Sequence, residues 1–316
     1  MTDKKTLTIS IVTWNSENEI ADCLKSLEAA PADWEIWVAD NFSADNTVKK
    51  IRENFPRVKI IENKENLGFA AGNNQIFGQT KTDYVLLLNP DTIVSVEAIE
   101  AAIEEIEKHT EVGVLGIQAL GDDSKIQETC FNFPAFLPNF VNSVGLYRFF
   151  TDEWKEKNLS NEFFSHRAER NSDWIMGAFM LVRREVIEKV GGLPEDYFMF
   201  TEEMDWCYRI RQAGFEILFS PKVTFIHKFN KSAGQKASDW RIEKTVLGKY
   251  LFCRTHYGNI KTKLIQLTDL IGLMLNIWRF SQTQELENME RKIYRKFVWK
   301  SLFLNKSRLR EILQKR

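Results

Sequence analysis

Cysteine is scarce and scattered: the four in 316 residues, Cys23, Cys130, Cys207 and Cys253, show no CxxC spacing. That pattern argues against a disulfide framework and a cysteine zinc site, and it fits reduced, partly buried thiols. Long apolar runs are missing too. The nearest, Leu264–Phe280, is broken by Gln266, Asp269, Asn276 and Arg279, so it does not read as a membrane span. Residues 1–5 are a short polar run rather than a secretory leader, and a cytoplasmic location is expected. There is no internal repeat and no low-complexity tract. Gly68 and Gly72 in ENLGFAAGNN fit neither the dinucleotide fingerprint nor a P-loop, which sets aside an NAD enzyme and a P-loop ATPase.

What is present alternates. Leu7–Trp14, Trp34–Ala39, Val58–Glu62, Tyr84–Leu88 and Val112–Ile117 read as strands, separated by amphipathic helical stretches. Ser16 with Glu19 has capping-box spacing, Ser43 is placed to cap the second helix, and Val96–His109 is a further helix. The pattern predicts an α/β fold with a mostly parallel sheet flanked by helices. Residues 120–173, aromatic-rich with Pro134 and Pro138, read as an irregular surface insertion. Trp174–Arg183 returns to strand character, followed by a short helix, Arg184–Val190. A helix ended by Gly214 and late strands at Phe215–Phe219 and Val223–His227 come next.

The organising stretch is TDYVLLLNPDT, Thr82–Thr92. Tyr84–Leu88 suits a strand covered on both faces, and Pro90 ends it. Asp91 then stands beyond the carboxyl end of a central strand, where open α/β sheets bind ligands. A carboxylate there can hold Mg²⁺ or Mn²⁺ on a diphosphate; its bland reading is a turn aspartate. Asp40 ends the second strand, where it could accept the N3–H of a pyrimidine base or simply close a turn. Thr201 is placed to cap a helix whose first turn holds Glu202 and Glu203, with Asp205 following. The helix dipole keeps such carboxylates ionised, as a general base requires. Asp205 is also spaced to pair with Arg209. His227 ends a late strand, and it reads either as a structural histidine or as a metal or diphosphate ligand.

Six pieces in order resemble the family 2 inverting glycosyltransferases of the GT-A fold, in their rhamnosyltransferase-like branch. They are SIVTWN, VADNFSAD, ENLGFAAGNN, LLLNPDT, DWIMGAFMLVRREVIEKVGG and YFMFTEEMDWCYRIRQAGF, and the likeness runs from about Leu7 to His227. The resemblance implies that Thr13, Asn15 and Glu17 line the nucleotide pocket and that Asp40 reads the base. It sets Asn66, Gly68 and Asn73 beside the donor, and Trp174, Gly177 and Ala178 near the acceptor and donor sugar. Asp91 matches the last aspartate of the DxD metal motif, with Asn89 in place of the first, and His227 completes the metal or diphosphate site. The family's Glu-Asp pair is here Glu202-Glu203, so Glu203 matches the base, with Glu202 and Asp205 as alternatives. The implied activity is metal-dependent transfer of a sugar, with inversion, from a nucleotide-sugar co-substrate to a glycan or polyprenol-linked acceptor. The branch points to dTDP-L-rhamnose; a UDP-hexose is the rival donor, and a non-catalytic nucleotide-sugar-binding subunit the rival class.

The expected organisation is a catalytic domain over 1–238, with its nucleotide half about 1–118 and its acceptor half about 119–238. A helical extension follows over 239–316. Residues 291–316 carry ten lysines and arginines against one acidic residue, Glu311, interleaved with Tyr294, Phe297, Trp299 and Phe303. Leu264, Leu267, Ile271, Leu275 and Trp278 share one helical stripe. Basic, aromatic amphipathic helices suit an anionic membrane surface, here the inner face of the cell membrane, or a helical hairpin packed on the catalytic domain or on another subunit. No recognised nucleic-acid module accompanies the charge, so no nucleic-acid partner is expected. The oligomeric state is left open.

Overall fold

A computed structural model describes residues 5–159, 163–228, 235–279 and 285–315. The side chains of Leu275, Trp278 and Arg291 lie outside this description, as does Arg316. The chain forms two compact units. One comprises Met1–Phe131, Ser165–Glu195 and Glu203–Asn230; the other comprises Asn132–Phe164, Asp196–Glu202 and Lys231–Arg316.

The first unit alternates as expected: β1 (Leu7–Thr13), α1 (Ile20–Ser26), β2 (Glu35–Asp40), α2 (Thr47–Asn54), β3 (Lys59–Glu62), α3 (Gly68–Gln79) and β4 (Tyr84–Leu88). There follow β5 (Thr92–Ile93), α4 (Val96–Glu107), β6 (Val112–Leu120), β7 (Ile126–Gln127) and β8 (Cys130–Phe131). The second unit then takes α5 (Phe136–Ser143) and α6 (Asp152–Asn158). The chain continues through β9 (Arg170–Asn171), β10 (Trp174–Ile175), β11 (Phe179–Arg183), α7 (Arg184–Val190), α8 (Glu202–Gln212) and β12 (Glu216–His227). Four helices complete the second unit: α9 (Gln235–His256), α10 (Gly258–Arg279), α11 (Glu285–Ser301) and α12 (Lys306–Gln314).

The main sheet has the order β3-β2-β1-β4-β11-β6-β12-β5, with β7 on β6 and β9 on β12. β1 pairs parallel with β2 and β4, and β11 runs antiparallel between β4 and β6. Alternation along β1 explains the layers. Leu7, Ile9 and Ile11 join a core with Ile20, Leu24, Ile99 and Ile103 of α1 and α4. On the other face Ser10 Oγ donates to Asn73 of α3 at 2.7 Å, and Gly72 clears the side chain of Val12. β4 is buried along its whole length, which is why it reads as an unbroken apolar run.

Several local expectations change. Ser16 does not cap α1 through its side chain; its carbonyl accepts from the N–H of Glu19 and of Ile20, and the helix starts at Ile20. Ser43 does not cap α2, which starts at Thr47; Ser43 instead donates to Asp40. Thr201 has φ of +82°, not the extended backbone usual for an N-cap. The late strands form one strand, β12, with a register shift between Ser220 and Thr224 around Pro221, which lacks a ladder N–H. The stretch 120–173 is not irregular: it supplies β7, β8, α5, α6 and β9. All four cysteines are free and buried, and burial pushes each thiol up to about 12.

In the second unit, Lys249 and Tyr250 of α9 both meet Asp269 of α10, at 2.8 and 2.6 Å. Lys244 donates to the carbonyls of Ile312 and Leu313, at 3.0 and 2.9 Å, closing the end of α12. No described helix is long and apolar enough to cross a membrane.

Candidate active site

Past Leu88 the chain turns through Asn89, Pro90 and Asp91. Thr92 closes the turn, donating its N–H and Oγ1 to the carbonyl of Asn89 at 3.3 and 2.7 Å. Its strand, β5, then pairs with β12 so that Thr92 faces His227, and the Lys228 N–H donates to the Asp91 carbonyl at 2.8 Å. This pairing brings Asp91 and His227 together from distant parts of the sequence. His227 Nε2 lies 3.4 Å from Asp91 Oδ1. The imidazole is buried, and Asp91 Oδ1 is buried without a hydrogen-bond partner among the described residues. A carboxylate oxygen lacking a donor, beside an imidazole nitrogen, is a donor set that fits a divalent cation such as Mn²⁺.

Glu105, His109 and Glu169 also bring potential ligand atoms together. Two of them stand where α4 ends and the Val112 N–H meets the His109 carbonyl as β6 begins. Glu105 carries its own counter-charges, Lys222 at 2.6 Å and Lys108 at 2.9 Å. Burial pushes its carboxyl up, but the two ammonium groups outweigh burial and hold it at about 2. That arrangement serves as an ion-pair network.

The carboxyl ends of β1 and β2 carry the expected nucleotide residues. Asp40 is buried; its Oδ1 accepts from Thr13 Oγ1 at 2.9 Å and Ser43 Oγ at 2.6 Å, and its Oδ2 accepts from Ser43 N at 2.9 Å. An ionised carboxylate has about four acceptor positions, so Oδ2 retains one for a further N–H. Asn15 and Glu17 tie this loop to the next: Asn15 Oδ1 accepts from Ala44 N at 2.8 Å, and Glu17 Oε2 accepts from Asn46 N and Nδ2 at 3.0 Å. Thr13, Asn15 and Glu17 therefore shape the loops that hold Asp40. Beside them Trp14 is 58% and Phe42 63% exposed, with Phe42 at φ +63°. Two large aromatics left in solvent at this edge are surfaces on which a base can stack.

Asn66 Oδ1 accepts from the Gly68 N–H at 3.0 Å and so starts α3, with Gly68 at φ +84°. Asn73 is buried and bonded to Ser10 and to the Phe69 carbonyl, which makes it a bracket between α3 and β1. Gly177 faces the ring of Phe69, where a Cβ would stand 3.1 Å from Cζ. Ala178 is buried, and its carbonyl accepts the Asn89 N–H at 3.1 Å, tying β11 to the turn before Asp91. Trp174 stacks on Phe131 with ring centroids 4.5 Å apart.

The three candidate carboxylates differ in access. Glu202 and Asp205 are buried, and Asp205 lies 3.4 Å from Arg209 Nε, as its spacing suggested. Glu203 is half-buried. α8 is anchored by Trp206 Nε1 to the Gly191 carbonyl at 2.9 Å and by Arg209 to that of Gly192 at 2.8 Å.

The family model described as glycosyl transferase family 2 matches residues 8–191, more than half of the chain. The chain belongs to that family. Two curated family relatives extend the likeness. An N-acetylglucosaminyl-diphospho-decaprenol L-rhamnosyltransferase of Mycobacterium tuberculosis is 25% identical over 250 residues, covering 74% of this chain and 79% of its own. The rhamnosyltransferase WbbL of Escherichia coli K12 is 28% identical over 248 residues, with 75% and 90% covered. Among solved structures, a mannosyltransferase from Pyrobaculum calidifontis in complex with GDP-Man and Mn²⁺ superposes with a TM-score of 0.58. It is 14% identical and covers 96% of this chain and 88% of its own. The glycosyltransferase GT-A fold expected from the sequence is thus the fold of this chain, carried with additional C-terminal helices. The sequence pattern did not single out the exposed Trp14 and Phe42, whose one usable signal is their place within two residues of a strand-ending polar residue.

Proposed function

We propose that the chain is an inverting, metal-dependent glycosyltransferase. It would move L-rhamnose from dTDP-L-rhamnose to a polyprenol-linked or glycan acceptor in cell-surface polysaccharide synthesis. The observation that carries this reading is Asp91 Oδ1, buried beside His227 Nε2 at the carboxyl edge of the sheet. One relative named as an L-rhamnosyltransferase and another named as a rhamnosyltransferase support the choice of sugar.

Asp91 and His227 would hold the divalent cation, Mg²⁺ or Mn²⁺, and that cation supplies charge neutralisation for the leaving diphosphate. Asp40 takes the N3–H of the pyrimidine through the remaining acceptor position of Oδ2, while Trp14 and Phe42 cover the base. Glu203 is the base, because it is the least buried carboxylate of the three, although its Oε2 is itself buried. It removes the proton from an acceptor hydroxyl as that oxygen forms its bond to the anomeric carbon. The bond from that carbon to the diphosphate oxygen breaks on the opposite face, so configuration inverts through an oxocarbenium-like transition state.

On α10, Ile260, Leu264, Leu267 and Met274 are exposed along one stripe flanked by Lys261 and Lys263. We assign this stripe to an anionic membrane surface, where a polyprenol-linked acceptor would reside.

The test is a thermal shift with dTDP, UDP and GDP, each with and without Mn²⁺, followed by a transfer assay with dTDP-L-rhamnose. A Mn²⁺-dependent rise with dTDP and turnover are expected, since a ligand of the folded state raises its stability by mass action. A shift with UDP alone would move the donor to a UDP-hexose. Binding without turnover for any acceptor would favour a nucleotide-sugar-binding subunit.

A further inference from the structure

Away from Asp91, Gln127 of β7 meets His227 twice. Gln127 Nε2 donates to the backbone carbonyl of His227 at 3.0 Å, and Gln127 Oε1 lies 2.9 Å from His227 Nδ1. These two contacts fix each other. A carbonyl can only accept, so the amide must present its nitrogen there and its oxygen to the ring. That oxygen can likewise only accept, so Nδ1 carries the hydrogen. The neutral ring then has its lone pair on Nε2, on the side of Asp91 Oδ1 at 3.4 Å. Gln127 is itself fixed: it pairs with Ala119 in the β6–β7 ladder, and its carbonyl accepts from Gln118 Nε2 at 3.3 Å. The hairpin before it, closed by Gly121 N to the Lys125 carbonyl at 2.8 Å, leaves room for the amide. A Cβ on Gly121 would stand 3.2 Å from Gln127 Nε2.

We propose that Gln127 is a positioning residue that sets His227 in its Nδ1–H tautomer, so that Nε2 and Asp91 Oδ1 form one nitrogen–oxygen pair for a divalent cation. Metal-bound histidines generally donate their second ring N–H to such an acceptor, and loss of that acceptor weakens the metal about tenfold or more. The inference rests on the reading of Asp91 and His227 as a cation site.

The experiment uses the full chain, Mn²⁺ as probe and two readouts that need no turnover. Long-range ¹⁵N–¹H spectra of the histidine rings report the tautomer; with four histidines in the chain, His227→Ala identifies the His227 signals. Electron paramagnetic resonance of free Mn²⁺ in the presence of dTDP gives its affinity. The wild-type chain is expected to show the Nδ1–H tautomer. Gln127→Leu should lose it and bind Mn²⁺ about tenfold more weakly, with an unfolding midpoint that shows it folded. Gln127→Glu keeps an acceptor for Nδ1 while losing the donor to the His227 carbonyl, and it should restore the Nδ1–H tautomer and bind Mn²⁺ more tightly than Gln127→Leu. An Nε2–H tautomer in the wild-type chain, or unchanged Mn²⁺ binding in Gln127→Leu while Asp91→Asn and His227→Ala lose it, would overturn the role of Gln127 alone. Unchanged binding in Asp91→Asn and His227→Ala would overturn the cation site and the inference with it.

Discussion

Thr13 Oγ1 donates to Asp40 Oδ1 at 2.9 Å, and so joins the carboxyl ends of two neighbouring parallel strands through their last side chains. Both residues are buried. Thr13→Val keeps the shape and removes the donor, leaving Oδ1 with Ser43 Oγ alone. A loss of about 1–3 kcal/mol of stability is expected from the weakened buried carboxylate, together with weaker binding of dTDP and UDP. Urea unfolding and calorimetric titration check the two effects. Unchanged affinity for both nucleotides would show that Thr13 does not position Asp40 for the base.

Glu203 is the least buried member of the three candidate carboxylates. Glu203→Gln removes a proton acceptor with little change in volume. We expect kcat to fall by about 10² to 10⁴, the usual contribution of a general base, with donor affinity retained. Asp205→Asn should instead act through Arg209, its partner at 3.4 Å, and alter stability more than turnover. Transfer assays on both variants, with their unfolding midpoints, decide which carboxylate is the base. Full turnover in Glu203→Gln would exclude it.

Trp14 and Phe42 contribute little to the core, since more than half of each is exposed. Trp14→Ala and Phe42→Ala are therefore expected to keep the wild-type unfolding midpoint and to weaken dTDP binding. Stacking of a base on an aromatic ring is worth about 1–3 kcal/mol, or roughly fivefold to a hundredfold in affinity. Equal affinity in the double variant would remove both rings from the nucleotide site.

The parts legible in the sequence are those whose cause is local. β4 announces itself because both of its faces are covered, and Pro90 marks its end chemically. Asp40 and Asp91 could be named because each follows a strand directly. What could not be read depends on distant partners. Gln127 sits in a strand of two residues, and its meaning comes from His227, a hundred positions away. The helices α5 and α6 were hidden because their region is aromatic-rich and contains Pro134 and Pro138, and in α5 Val141 alone is fully buried, which leaves no clear apolar stripe. Proline also misleads in the other direction: Pro221 split β12 into two expected strands, whereas the ladder absorbs it as a register shift.

Glu105 gives a pH dependence whose sign can be worked out. Its carboxyl is held at about 2 in the folded chain against an ordinary 4.5, the pairs to Lys222 and Lys108 outweighing burial. A depressed folded value means the stabilisation is full above the ordinary carboxylate range and is lost as pH falls toward 2. The unfolding midpoint of the wild-type chain should therefore exceed that of Glu105→Gln at neutral pH, and the gap should close on acidification. A gap independent of pH across that window would show that the ion pairs do not couple to folding.

The stripe on α10 makes a separable prediction, because its residues lie in the second unit and outside the proposed chemistry. Ile260 is 80% exposed, and Leu264, Leu267 and Met274 lie on the same face of the helix. The exposed charges beside them, Lys261 and Lys263, are positive, while Asp269 is occupied by Lys249 and Tyr250. The full chain should float with vesicles containing phosphatidylserine and should sink when salt screens the lysines. Each basic residue near an anionic surface is worth about 1 kcal/mol, so Lys261→Gln with Lys263→Gln should weaken partitioning roughly thirtyfold. Leu264→Asp with Leu267→Asp removes apolar contact and should abolish flotation while leaving Mn²⁺-dependent dTDP binding intact. A wild-type chain that stays at the bottom of the gradient at low salt would reassign the stripe to a protein contact, for which sedimentation of the same chain as a dimer is the direct sign.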